Sequence, residues 1–125
     1  MANKPCILFF QIEPVKAKQI ENICRTLKIQ ISKIKPASYS QKLGYLAGVT
    51  GFNRENITYS GAKFPTEMLV FSGMDSDMLD LFLEKYKEAG IPPIGLKAIL
   101  TSQNIFWTAE MLYKELWQEH HSFQK

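Results

Sequence analysis

Apolar positions along this chain change period several times, and each change marks an element. Cys6–Phe10 reads CILFF, a continuous apolar run of strand length, which predicts a mostly buried strand. Pro14 suits the first position of a helix, where its missing N–H leaves nothing unpaired. From there to about Lys28, Ala17, Ile20, Ile23, Cys24 and Leu27 recur at three and four residues and form one helical face. Ile29–Lys35 then alternates as IQISKIK, a half-exposed strand stopped by Pro36. Between Pro36 and Glu67 the pattern weakens. Ser40 is placed to cap a short helix over QKLGYLAG, and Asn53–Pro65 reads as loop.

The pattern resumes at Met68–Phe71, another short apolar run closed by Ser72-Gly73. Asp75 is a helix N-cap, and Asp77 and Asp80 put negative charge in or near the first turn. The predicted buried face is Leu79, Phe82, Tyr86 and Ala89, widened by Met78, Leu81 and Leu83. Gly90 stops this helix and Pro92-Pro93 forbids its continuation. Gly95–Leu100 is a fourth strand. A last helix begins near Trp107 or Thr108 and buries Ala109, Leu112, Tyr113 and Leu116, leaving His120 onward as a frayed tail.

Residues 6–48 and 68–119 thus follow the same order, as two halves of an internal repeat within one domain spanning 1–125. ILFF matches MLVF, ISKIK matches LKAIL, and YSQKLGYL faces WTAEMLYK. Two β-α-β units predict an α+β fold, a ferredoxin-like sandwich with two helices on one face of a four-stranded antiparallel sheet and the extra helices over an edge or the other face. The alternative is a three-layer α/β arrangement with a mostly parallel sheet.

Composition adds an asymmetry. The net charge is +3, yet residues 1–65 hold ten Lys/Arg against three acids (+7) and residues 66–125 hold five Lys against nine acids (−4). A basic half meets nucleic acid, acidic metabolites or the acidic half of a second copy, but spread charges chiefly describe solvated helix faces. The first apolar run is too short for a signal sequence or a membrane span, which points to a cytoplasmic protein with no membrane partner. Cys6 and Cys24 match no metal or redox spacing and read as buried thiols.

The strongest candidate chemistry is in the polar turns. Thr101, Ser102, Asn104 and Thr108, with Lys97 nearby, could hold an anion at a helix start, and Ser40 and Gly44 mark the counterpart in the first half. Capping and turn formation explain the same residues more simply. GYLAGVTG, with Gly44, Gly48 and Gly51, lacks the lysine and spacing of a phosphate loop. Tyr39, Tyr45, Phe52 and Tyr59 interleave with Lys42, Arg54 and Lys63, a weak nucleic-acid pattern. His120-His121 point about 100° apart on a helix and do not share one metal ion. No nucleophile, base or cofactor pattern appears.

Phe71, Gly73, Leu79-Asp80, Gly90-Ile91-Pro92, Lys97-Ala98, Thr101, Asn104 and Trp107-Thr108 resemble a bacterial family, domain of unknown function three-seven-eight-three. Lys42-Leu43-Gly44-Tyr45-Leu46 fits that resemblance too. It covers Met68–Glu119 and implies no activity, cofactor or site. The expected function is therefore a protein-interaction or self-associating module without catalytic activity. A sensor of a small anionic, phosphate- or nucleotide-like ligand is the first alternative, and weak RNA binding the second.

Overall fold

A computed structural model describes residues 4–122. The first apolar run forms β1 (Cys6–Phe10), followed by α1 (Pro14–Leu27) and β2 (Gln30–Lys33). A 3₁₀ turn at Pro36–Ser38 leads to the one-turn helix α2 (Leu43–Leu46). After a long irregular stretch come β3 (Met68–Ser72), α3 (Ser76–Glu88), β4 (Leu96–Ile99), a 3₁₀ turn at Asn104–Phe106 and α4 (Ala109–Ser122).

The class is α+β, as the pattern predicts, but the sheet is not the antiparallel one of a ferredoxin-like sandwich. Its order is β2-β1-β3-β4, with β1–β2 and β3–β4 parallel and only the central β1–β3 pair antiparallel. In the ferredoxin-like arrangement a strand is inserted within each β-α-β unit. Here each helix joins neighbouring strands instead. The register is regular: Cys6 faces Gln30, Met68 faces Leu96, and Leu8 meets Val70 at the centre.

Both central strands are buried along their whole length, which is why they read as unbroken apolar runs. Ile7, Phe9, Leu69 and Phe71 point to one face, where Ala17, Ile20, Ile23 and Cys24 of α1 and Phe82 of α3 cover them. Phe82 packs edge-on against Phe71, ring centroids 5.6 Å apart. Cys6, Leu8, Phe10, Met68 and Val70 point to the other face, under Tyr39, Leu43 and Phe64 and under Ala109, Leu112 and Tyr113 of α4. Phe64 is sandwiched between Tyr39 and Tyr113, at centroid distances of 3.8 and 4.1 Å. The result is three layers, the architecture of the alternative expectation.

Several local details differ from the sequence pattern. α3 buries only Phe82 fully; Leu79, Tyr86 and Met78 are half-buried, while Leu81, Leu83 and Ala89 are exposed. Its neighbours on that face are one sheet and one helix, so a narrow stripe suffices. Ser40 does not cap α2, which starts after Lys42 with no side-chain cap. Of the frayed tail that the pattern expects from His120 onward, residues 120–122 are helical, as the end of α4, and the rest lies outside the described residues. The His121 ring lies 3.7 Å, centroid to centroid, from that of Trp117, an anchor one turn back.

Candidate functional site

α1 begins after Glu13, whose carboxylate accepts the N–H groups of Val15 (3.0 Å) and Lys16 (2.9 Å). Those two bonds, led by Lys16, hold the Glu13 carboxyl below the usual range. At α3, Asp75 accepts the Met78 N–H at 2.8 Å. The N-termini of both long helices on this face therefore carry their own carboxylates where an anion would sit. The Lys16 ammonium is buried and meets Glu67 at 2.6 Å, while the other Glu67 oxygen accepts the Glu13 N–H at 2.8 Å. This clasp fixes the start of α1 to the entry of β3.

The polar turn after β4 folds on itself. Asn104 Oδ1 accepts the Thr101 N–H at 2.8 Å, Thr101 Oγ1 accepts the N–H groups of Gln103 and Asn104, and Asn104 Nδ2 donates to the Ile99 carbonyl. Ser102 is exposed within it. Thr108 Oγ1 caps α4 through the Met111 N–H at 3.1 Å, and Lys97 Nζ donates to the Ile94 carbonyl at 2.9 Å. Gly44 is a packing glycine, because a Cβ there would lie 2.7 Å from the Phe52 ring. The fold nonetheless brings the two suspected turns together. Lys42 and Thr108 form an antiparallel bridge, with Leu43 N–H on the Trp107 carbonyl and Ala109 N–H on that of Gln41. Ser40 lies two residues before that bridge and does not cap α2.

The interleaved aromatics are mostly engaged elsewhere. Tyr39 is fully buried, with its hydroxyl accepting from Gln11 Nε2 at 2.8 Å, and burial raises its pKa. Phe52 packs on Phe106, and Lys42 pairs with Glu55. Cys6 and Cys24 are free, buried thiols; burial raises both pKa values, with that of Cys24 pushed up to about 12. Among the described residues no group of three or more His, Cys, Asp or Glu is placed to hold a metal ion. No described helix is long and apolar enough to cross a membrane.

What the helix and strand patterns do not reveal is the contrast between the two outer edges. Among the described residues, β2 and β4 each have a partner on one side only. Gln30 and Ile34 donate to β1-side carbonyls, and Leu100 donates to that of Phe71. By alternation, Ile31 and Lys33 on β2, and Lys97 and Ile99 on β4, turn their main-chain groups outward. Beside β2 is a groove of about 510 Å³ formed by Phe9, Ala17, Lys18, Glu21, Lys33 and Lys35 among others. Across it Lys33 and Glu21 form an ion pair at 3.0 Å. Beside β4 is a groove of about 430 Å³ formed by Phe71, Leu79, Leu83, Lys97, Ile99 and their neighbours. Lys33 is in register with Phe9, and Ile99 with Phe71. Where the first edge has an ion pair, the second has Leu83 and Ile99, 38% and 50% exposed. A strand signal alone could not have found this, since both edges alternate.

The fold and its edges define a small α+β domain with a mixed four-stranded sheet between helical layers. Residues 67–123, from just before β3 through α4, match the model of a family described as Domain of unknown function (DUF3783), the segment that carries the sequence resemblance. Neither a curated protein nor a solved structure matches the chain.

Proposed function

We propose that this protein is an interaction module that binds a second copy of itself through the β4 edge. The observation that carries the proposal is the pair Leu83 and Ile99, left in water beside unpaired strand groups. Charge on an edge opposes pairing with its like: Lys33 and Lys35 keep β2 from meeting another β2, whereas Leu83 and Ile99 leave β4 open. Strand addition supplies main-chain hydrogen bonds, and the flanking groove receives alternate side chains. The opposite charges of the two halves support a like partner over an unrelated one. Two unpaired, buried thiols suit the reducing cytoplasm as its place of action.

We also propose that the chain arose as two copies of one β-α-β-α unit. Support comes from left-handed backbone at Gln11 and Lys28, after β1 and α1, and at Gly73 and Gly90, after β3 and α3. The matched registers and the reciprocal bonds around Lys42 and Thr108 support it further.

Leu83→Glu with Ile99→Lys, which writes the first edge's ion pair onto the second, tests the function. Light scattering should show the wild type growing in mass with concentration, and the double variant folded and monomeric. A wild type that stays monomeric at high concentration and low salt rejects self-association.

A further inference from the structure

The occupant of the β4 edge has an identity that the charge distribution and strand directions specify. We infer that it is the β2 edge of another copy, so that molecules join head to tail. This rests on the self-association proposed above and adds which surface meets which.

Two observations lead there. The first is direction. β1 and β2 run one way, β3 and β4 the other. A second molecule in the same orientation presents its β2 antiparallel to β4, with outward groups at Ile31 and Lys33 facing those at Lys97 and Ile99. The sheet continues through the contact. The second is charge. The β2 edge has exposed Lys18, Lys33 and Lys35 around its groove, with Glu21 paired to Lys33. The β4 edge has Lys97, whose ammonium donates back to the Ile94 carbonyl, and α3 beside it carries Asp77, Asp80, Glu84 and Glu88 against Lys85 and Lys87. Lysine stems can lie along Leu83 and Ile99 while their ammonium groups reach the acids of α3. A symmetric β4-to-β4 contact would instead place two acidic α3 helices side by side. Like charges across an interface oppose it.

A head-to-tail contact leaves one free edge at each end, so it either grows or closes as a ring. A symmetric contact stops at two. Sedimentation of the chain separates these cases through two variants. Leu83→Glu/Ile99→Lys disables the β4 edge, and Lys18→Glu/Lys35→Glu disables the β2 edge; all four side chains are exposed. The expected results are a wild type that grows beyond a dimer and dissociates as salt is raised, and two variants that are each monomeric alone. Mixed, the variants should form a one-to-one dimer and nothing larger, because one intact β2 edge meets one intact β4 edge.

A Lys18→Glu/Lys35→Glu variant that dimerises alone overturns the head-to-tail contact while keeping β4 self-association. Mixed variants that stay monomeric also overturn it. A monomeric wild type overturns self-association itself, and growth unaffected by Leu83→Glu/Ile99→Lys removes the β4 edge from either scheme. Circular dichroism melts establish that each variant folds. Should one fail, Ile99→Pro and Lys33→Pro replace the pair, each removing an outward N–H that the sheet does not use.

Discussion

Between α1 and β2, Glu21 and Lys33 meet at 3.0 Å; between α3 and β4, the facing residues are Leu83 and Ile99, both in water. Lys33 stands opposite Phe9 and Ile99 opposite Phe71, so the two pairs occupy equivalent places beside a parallel strand pair. Below them the packing is alike: Ile20 of α1 and Phe82 of α3 are both fully buried against the same sheet face. The halves therefore share a core and part company at the rim. Core positions are constrained by a common sheet. Rim positions are free to be finished for water or for a partner.

The comparison is broken most severely from within. Phe82→Ala should destabilise by about 3–5 kcal/mol and Ile20→Ala by about 2–5 kcal/mol, as for other fully buried side chains. Urea denaturation followed by far-UV circular dichroism checks both, and one shared transition is expected because the two side chains belong to one cluster. A loss below about 1 kcal/mol for either would mean that its face does not carry the core.

Alkaline pH acts next, on a buried thiol in the first half and a half-buried phenol in the second. Cys24 is pushed up to about 12 by burial, and burial also raises Tyr86, whose hydroxyl donates to the Pro92 carbonyl. A raised thiol pKa means that the folded state keeps a proton which the unfolded state releases. Its contribution is complete below the ordinary thiol value of about 8.5 and is lost as pH rises from there toward about 12. Denaturation midpoints measured across that window should fall, and less steeply in Cys24→Ala. Native Cys6 and Cys24 should also resist alkylation until the protein unfolds.

Backbone handedness gives a smaller effect of opposite sign in the two halves. Lys28 closes α1 at φ 59°, where Gly90 follows α3 at φ 69°. Lys28→Gly should stabilise by up to about 1 kcal/mol, and Gly90→Lys should destabilise by roughly 1–2 kcal/mol. Gln11→Gly should gain less than Lys28→Gly, since it loses the bond to the Tyr39 hydroxyl. Thermal melts of the three variants order these effects.

The smallest effect is at the rim itself. Removing the Glu21–Lys33 pair by Glu21→Gln should cost about 0–1 kcal/mol, the ordinary worth of an exposed ion pair. Leu83→Glu/Ile99→Lys should change the stability of the isolated molecule by a similarly small amount while abolishing association. A large loss in that variant would mean that Leu83 and Ile99 belong to the core.

Much of this was legible in the residues. The burial of β1 and β3 follows from CILFF and MLVF, and the inward faces of α1 and α4 from spacings of three and four. Asp75 as a cap and Gly90 as a stop were equally plain. The turn after β4 was identified as polar, and its Thr101 hydroxyl and Asn104 amide bond to backbone within the turn and to Ile99. The Lys16–Glu67 clasp was not legible, because its partners stand 51 residues apart.

The sequence by itself determined the core-facing residues of β1, β3, α1 and α4, since periods of two and 3.6 are properties of a short stretch of backbone, but it drew the buried stripe of α3 too wide. Only the tertiary structure decided which strands are neighbours, and therefore which strands are edges. Ile99 reads as an ordinary strand residue until β4 is seen to lack an outer partner among the described residues. Glu21 and Lys33 read as solvated charges until the register of β2 on β1 brings them together. Pairings of this kind join residues distant along the chain, and no local period encodes them.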